Sequence, residues 1–380
     1  MGPKDKHPST GDLFQQPLAE LINLKHPLVK LAELIDWSVF ETRWAEFFPS
    51  KTGRPASSPR LIAGLLYLQH TFACSDEDLI WTWVENPYWQ HFCGESYFQH
   101  EAPIDPSSMT RWRQRVGEEG VEGLLTETIA AARRGKVVKA RSFEKIIVDT
   151  TVMEKAVAYP TDSRLLERGR QHLVKLAGTL GISLRQNYNR EAPRLAAQVG
   201  RYAHAKQYRR MKATLKSLRT VVGRVWWDID RKLDRQNETQ AAKANRILVR
   251  VKRLLEQKPK DKNKLYSLHA PEVECISKGK VRQPYEFGVK VTVATTHREG
   301  LVVGMRSLPG NPYDGHTLSE AIEQVRLLTA QKPKAVFVDK GYRGVSVGGV
   351  TIWRSGQKRG VTPSIKKAIH RRSAIEPAIG

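Results

Sequence analysis

The chain has 380 residues, 40% of them hydrophobic, and a formal charge of +24 at pH 7. That apolar content supports real cores and excludes wholesale disorder, and the length suits two domains or one domain with a large insertion. A positive excess of this size points to a polyanionic partner, with nucleic acid ahead of an anionic membrane because no apolar run approaches the length of a spanning helix. Cys74, Cys93 and Cys275 are odd in number and form no CxxC pair, so neither a zinc site nor a disulfide framework is expected. The opening MGPKDKHPSTGDLFQQ lacks the apolar core of a signal peptide.

Residues 1–50 read as a helical segment, with leucine and isoleucine at spacings of three and four in LAELINLKHPLVKLAELI and an interruption at Pro27. Residues 51–140 read as a second, all-helical region that would bind DNA. Pro59 opens one helix, Ser75 caps SDEDLIWTWVENP, and Asp105 and Pro106 start PSSMTRWRQRVG, which Gly117 should end. At FEKIIVDTTVM the texture turns to alternating and β-branched residues, which predicts a strand over Glu144–Met153. A helical insertion over 163–266 follows, with Asp162 as its simplest N-cap. PYEFGVKVTVATT and LVVGMRSL then predict two strands joined by HREG, and DGHTLSEAIEQVRLLTAQK a helix capped near Asp314 or Thr317. KAVFVDKGYRG predicts a short buried strand, VTIWRS another, and TPSIKKAIHRRSAIEPAIG the beginning of a last helix. This order predicts a mixed α/β sheet over 141–380, interrupted by the insertion and preceded by an all-α region.

The charge is concentrated. Arg164–Lys260 holds 25 Lys and Arg against 7 Asp and Glu, whereas the first 50 residues hold five basic and seven acidic side chains. Clusters such as YRRMK, with Arg209, Arg210 and Lys212, suit phosphate contacts, which add affinity without sequence information. A solvated helix surface over a packed core is the plainer alternative. Trp226 and Trp227 read as core or interface residues rather than base-stacking ones. Arg111, Arg113 and Arg115, close together after a capped start, suit a recognition helix in a major groove; equally, Trp112 and Val116 could pack inward with the arginines outside. Arg343, Lys366, Lys367, Arg371 and Arg372 lie in a stretch poor in acids and would neutralise phosphate near a reaction centre.

KIIVDTT and AVFVDKGYR share a design in which a β-branched or aromatic run ends in one aspartate, Asp149 or Asp339. A carboxylate at the end of a buried strand is supported rigidly below and open above, as a metal ligand needs. Hard divalent cations take oxygen ligands, and phosphoryl chemistry commonly uses two ions about 3.5–4 Å apart. Alone, an aspartate after a strand is more often a turn former or helix cap. Glu376, four residues beyond Arg372, reads alone as a solvated helix residue paired with that arginine. Asp314 most simply makes a turn and cap, with His316 beside it a weaker ligand candidate.

VDTTVMEKAVAYPTDSRLL, YEFGVKVTVATT, GNPYDGHTL, VFVDKGYRG and HRRSAIEPAIG, in this order, resemble the transposases of the bacterial insertion-sequence-5 family, and the helical region around GRPASSPRLIAGLLYLQH resembles that family's N-terminal domain. The resemblance implies an RNase H-like catalytic core, two Mg²⁺ or Mn²⁺ ions, and cleavage of DNA at element ends followed by strand transfer. It carries over Asp149, Asp339 and Glu376 as catalytic and metal-ligating residues. The implied partners are double-stranded DNA, as terminal inverted repeats and target, and a second copy of the chain when DNA is bound. The implied place is the bacterial cytoplasm at the nucleoid, with no membrane. The family's last motif spaces a tyrosine, an arginine, a glutamate and a lysine. Arg372 and Glu376 fit it, Ile369 stands at the tyrosine position, and the lysine position falls beyond Gly380. The expectation is a helix cut short, either in an active enzyme or in an inactive copy that occupies the terminal repeats and represses transposition.

Overall fold

Pro27 sits at the first position of a helix, where a missing N–H costs nothing, so it begins an element rather than interrupting one. The computed structural model describes residues 16–47, 57–233, 238–277 and 284–379; the expected boundary at 50/51 lies outside them. Three helices come first, α1 (Leu18–Leu21), α2 (Pro27–Leu34) and α3 (Ser38–Arg43). Then α4 (Pro59–Phe72), α5 (Asp76–Glu85), α6 (Pro87–Phe92) and α7 (Ser107–Arg134) follow. Ser75 caps α5 as expected, its Oγ accepting the Asp78 N–H at 3.1 Å. Gly117 does not end its helix. It takes φ 60°, ψ −161°, which only glycine adopts cheaply, and helical turns resume beyond it to Arg134. These helices close over Trp37, Phe40, Trp44, Leu65, Trp83 and Trp112.

Next come β1 (Lys145–Glu154), then α8 (Asp162–Thr179), α9 (Glu191–His204), α10 (Tyr208–Lys232) and α11 (Glu238–Glu256). β2 (Glu274–Ser277), β3 (Tyr285–Thr296), β4 (Val302–Ser307), α12 (Asp314–Thr329), β5 (Ala335–Val338) and β6 (Thr351–Arg354) complete the sheet region. The strands join in the order β2-β3-β1-β5-β6, with β4 on β3. β1, β5 and β6 run parallel, while β2 and β3 are antiparallel, so the sheet is mixed as the sequence predicts. β2 is too short and too polar to have been expected.

Two local expectations are corrected. The cap of α8 is Thr161, whose Oγ1 accepts the Arg164 N–H at 3.4 Å, and Asp162 is the first helical residue, 3.5 Å from Lys264 Nζ. The C-terminal stretch is not one helix: α13 (Pro363–His370) gives way to a 3₁₀ turn, Arg371–Ile375, before α14 (Glu376–Ile379). Pro377 explains the change, since it has no N–H to give to the carbonyl four residues back.

The described residues form two compact units: one holds residues up to Asp149, Val293–Met305 and those from Leu318 on, the other Thr150–Thr292 and Arg306–Thr317. In the first, Ile146, Val148, Val303, Ile322, Val336 and Val338 form a core around the parallel strands. In the second, α8, α10 and α11 bury Leu166, Leu173, Val222, Ile229, Val251 and Leu254. Gly288 in β3 is required there, because a Cβ would stand 2.1 Å from the Met153 carbonyl oxygen.

Candidate active site

Apolar burial fixes the two strand-borne aspartates. Ile146, Ile147 and Val148 are at most 1% exposed, as are Val336 and Val338, so β1 and β5 cannot slip without exposing their cores. Lys145 lies opposite Ala335, Ile146 opposite Val336 and Ile147 opposite Phe337. Continued two residues, that parallel register brings Asp149 level with Asp339, and equal levels on neighbouring parallel strands share a face about 4.8 Å apart. Both residues are half-buried. Asp339 also does what a lone aspartate does after a strand: its Oδ1 accepts the Gly341 N–H at 2.7 Å and caps the turn Lys340–Tyr342.

Arg372 connects the first aspartate to the glutamate. Its Nη1 donates to Asp149 Oδ2 at 2.7 Å and its Nε to Ser355 Oγ at 3.2 Å, while Nη2 stands 3.9 Å from Glu376 Oε1. The side chains of Arg372 and Asp149 are 18% and 14% exposed, that of Glu376 63%. A guanidinium thus holds the positive charge beside Asp149, and Glu376 lies at the edge of the same ion-pair chain. Ser355, whose N–H bonds to the Val338 carbonyl at 3.0 Å, ties Arg372 to the end of β5.

The segment carrying Arg372 is anchored by residues that sequence reasoning did not single out. His297 Nε2 bonds to the Ala368 carbonyl at 2.9 Å, and its ring lies 4.4 Å from that of Phe337. Arg371 donates back to the His297 and Arg298 carbonyls at 2.9 and 2.5 Å. Ile375, 1% exposed, completes the attachment. Burial, with Arg371 and Lys145 nearby, pushes the His297 pKa below its ordinary value against the opposing hydrogen bond to Ala368, in which Nε2 is the donor because a carbonyl can only accept. HREG carried only a turn signal, which is why this histidine was not found.

The expected DNA-contacting residues divide sharply. Arg113 makes a bidentate pair with Asp76 at 2.7 and 2.6 Å and also reaches Gln69, and the guanidinium holds the Asp76 carboxyl below its usual range. Arg111 reaches Ser108 Oγ at 3.1 Å, and Arg115 lies over the Trp112 ring at 4.9 Å; both stay exposed. Arg209, Arg210 and Lys212 are exposed at the start of α10, as are Lys366 and Lys367 on α13 and Arg343 beyond β5. Arg371 and Arg372 are engaged as described. The tryptophan pair separates: Trp226 is core, its indole N–H bonded to the Leu248 carbonyl at 2.9 Å, whereas Trp227 is 59% exposed and is not a core residue.

The donor set of two half-buried carboxylates at one level suits a hard divalent cation, so Asp149 and Asp339 fit one as a pair. Among the described residues no group of three His, Cys, Asp or Glu side chains is gathered to hold a metal, and Glu376 is not brought in as a third ligand. None of the described helices is long and apolar enough to cross a membrane.

Residues 16–115 match the transposase domain family DUF772, and residues 257–366 match the transposase DDE domain family. The second span runs from the end of α11 into α13 and includes Asp339, but neither Asp149 nor Glu376. A Rhizobium meliloti relative, described as "Uncharacterized protein ORF8 in nfe locus", is 48% identical over 207 residues, which is 54% of this chain and 100% of the relative. No solved structure matches. The early helices and the mixed sheet thus match two transposase domain families, which together support a DDE transposase whose sheet is the RNase H-like domain.

Proposed function

We propose that the chain is a transposase of the insertion-sequence-5 family that cuts DNA at its element's ends and joins the freed 3′ hydroxyl to target DNA. The observation that carries this reading is the shared level of Asp149, midway along β1, and Asp339, just beyond β5, on two neighbouring parallel strands, with Arg372 linking Asp149 to Glu376. Asp149 and Asp339 would hold divalent cations, Mg²⁺ or Mn²⁺, with Glu376 as the third ligand. Bound there, such ions activate water and stabilise the departing oxygen of an in-line displacement.

The chain's own residues prepare for that. Asp149 faces a guanidinium that a metal would replace, and Arg372, once released, would turn to a DNA phosphate, for which its planar fork is suited. Asp339 is aimed by the turn it caps. The anchors at His297 and Arg371 hold the segment bearing Arg372 and Glu376 to the sheet. Arg111 and Arg115 on α7 would meet the terminal repeats, and Arg209, Arg210, Lys212, Arg343, Lys366 and Lys367 the phosphate backbone. Arg113, committed to Asp76, would position α7 rather than read bases. Two copies would act on paired ends, on nucleoid DNA in a bacterial cytoplasm.

The test is Mg²⁺-dependent cleavage of DNA carrying the element's own ends, comparing the chain with Asp339→Ala. Cleavage at the boundary, lost in the variant, is the expected result. End binding without cleavage by either protein would instead favour a repressor that occupies the repeats.

A further inference from the structure

The second unit carries a cleft of about 510 Å³ lined by Arg185, Gln186, Tyr188, Arg224, Trp227, Asp228 and Arg231. Four of these come from α10 at positions 224, 227, 228 and 231, a spacing that keeps them on one helix face. The others come from the connection between α8 and α9. We propose that this cleft holds one unpaired nucleotide of a DNA strand, its base on the indole of Trp227 and its phosphate among Arg185, Arg224 and Arg231. The inference rests on the DNA-processing reading above and adds a subsite to it.

The cleft is built, not incidental. Asp228, with a side chain 6% exposed, accepts the Arg185 backbone N–H at 2.8 Å and lies 3.1 Å from Lys232 Nζ. Lys232 in turn donates to the Ser183 carbonyl at 2.6 Å, so one buried acid fastens the connection to α10. From the other side Arg170, 3% exposed, donates to the Asn187 carbonyl at 2.8 Å and Asn189 Oδ1 at 2.6 Å while Glu167 holds its other edge. Tyr188 takes φ 54°, a left-handed conformation a bulky residue adopts only when its surroundings impose it, and its hydroxyl accepts from Arg224 Nη1 at 3.4 Å. Trp227 meets Trp226 edge-to-face at 4.9 Å between centroids, which fixes its ring while 59% of the residue stays exposed.

The chemistry of the lining selects the ligand. Asp228 is buried against the loop and Lys232, with Arg231 Nη2 also 3.7 Å from its Oδ1, so three guanidinium groups and a lysine meet one buried acid and the face presented to solvent is cationic with one large π surface. Phosphates of a duplex would satisfy the arginines, but stacked base pairs offer no free face to an indole. An unpaired nucleotide offers both groups at once, and base–aromatic stacking is tolerant of sequence. The exposed tryptophan is what distinguishes this cleft from the general basic surface of the insertion.

The experiment measures binding of the full chain, at one fixed salt concentration, to labelled short oligo-dT, to an abasic strand of equal length and to a duplex. The same set is run on Trp227→Ala and Trp227→Phe, both substitutions at an exposed side chain, with circular dichroism to verify folding. The expected result is an oligo-dT affinity about tenfold weaker for Trp227→Ala, mostly restored in Trp227→Phe, and duplex affinity within about twofold throughout. The wild-type chain should also prefer oligo-dT to the abasic strand. Equal losses on strand and duplex, no loss at all, or equal binding of abasic and oligo-dT strands would overturn the proposal. Displacement of oligo-dT by free thymidine monophosphate at comparable concentration would make a free nucleotide the occupant and also overturn it. Duplex binding by a wild-type chain that ignores oligo-dT sinks the subsite alone, while failure to bind any DNA sinks the DNA-processing reading beneath it.

Discussion

In the catalytic unit Arg372 is 18% exposed and lies 2.7 Å from Asp149, with Glu376 at its far edge. In the insertion, Arg185, Arg224 and Arg231 stand exposed around a cleft whose acid is buried against its own loop. The same side chain therefore serves as an internal counter-charge in one unit and as an offered contact in the other. Arginine number does not tell these apart; the distance to the nearest carboxylate together with the burial of the arginine does, for Arg231 stands 3.7 Å from Asp228 yet keeps a side chain 58% exposed. Arg113 makes the point again, since Asp76 turns a candidate base reader into a brace between α5 and α7.

The comparison is broken most severely at the acids. If both hold the cations proposed above, Asp149→Asn and Asp339→Ala should each lower end cleavage by about a thousandfold or more, because each removes a ligand of the ions that act on the reacting phosphate. DNA affinity should hardly change in either. Binding and cleavage falling together would mean that the acids shape the fold rather than the chemistry. Next in size comes Arg372→Gln. Removing one member of a largely buried pair leaves Asp149 without its counter-charge, and the expected cost is about 2–3 kcal/mol of stability. Added Mn²⁺ should return more thermal stability to this variant than to the wild-type chain, since the cation then has no guanidinium to displace. An equal Mn²⁺ effect on both proteins would show that Arg372 and the cation do not share a place.

Asp228→Ala sharpens the other side. It removes the carboxylate that joins the Arg185 N–H to Lys232, a loss of about 1 kcal/mol for a partly buried bond. Because the connection carrying Arg185 and Tyr188 is released, oligo-dT affinity should fall with it while end cleavage on duplex DNA persists. Stability lost without any change in strand binding would mean the loop needs no such anchor.

Much of this architecture was readable beforehand, for identifiable reasons. Buried strands announce themselves through β-branched runs, so β1 and β5 could be placed from KIIVDTT and AVFVDKGYR, although β1 continues past Asp149 to Glu154 and only Asp339 follows the end of its strand. Helix starts were marked by Pro59 and Ser75. What stayed hidden was long-range pairing. Nothing local in SMTRWRQRVG says that Arg113 meets Asp76, 37 residues upstream, or that Arg372 meets Asp149, 223 residues away. The separation of Trp226 from Trp227 was equally hidden, because adjacent helical residues face directions about 100° apart and composition cannot say which one is inside. The C-terminal helix was misjudged because the Arg372–Glu376 spacing suggested one continuous face, while Pro377 and a 3₁₀ turn produce a similar approach by another route.

The smallest expected effect concerns the anchor of that C-terminal segment. Burial pushes the His297 pKa down, with Arg371 and Lys145 adding to the push, while the hydrogen bond to the Ala368 carbonyl and, less strongly, Glu299 oppose it. A histidine whose folded pKa lies below its ordinary 6.5 takes up its proton more readily in the unfolded chain. Its contribution to stability is therefore complete above that value and is lost as pH falls through the lowered one. His297→Gln keeps a donor toward the Ala368 carbonyl but cannot titrate. The wild-type chain should lose thermal stability relative to this variant as pH falls below His297's ordinary value and through its lowered one, with the difference between the two constant above that window. Because every other titrating group is shared, the difference between the two curves isolates His297. Parallel curves would show that its proton plays no part in holding α13 to the sheet, and that the bond to Ala368 and the contact with Phe337 suffice.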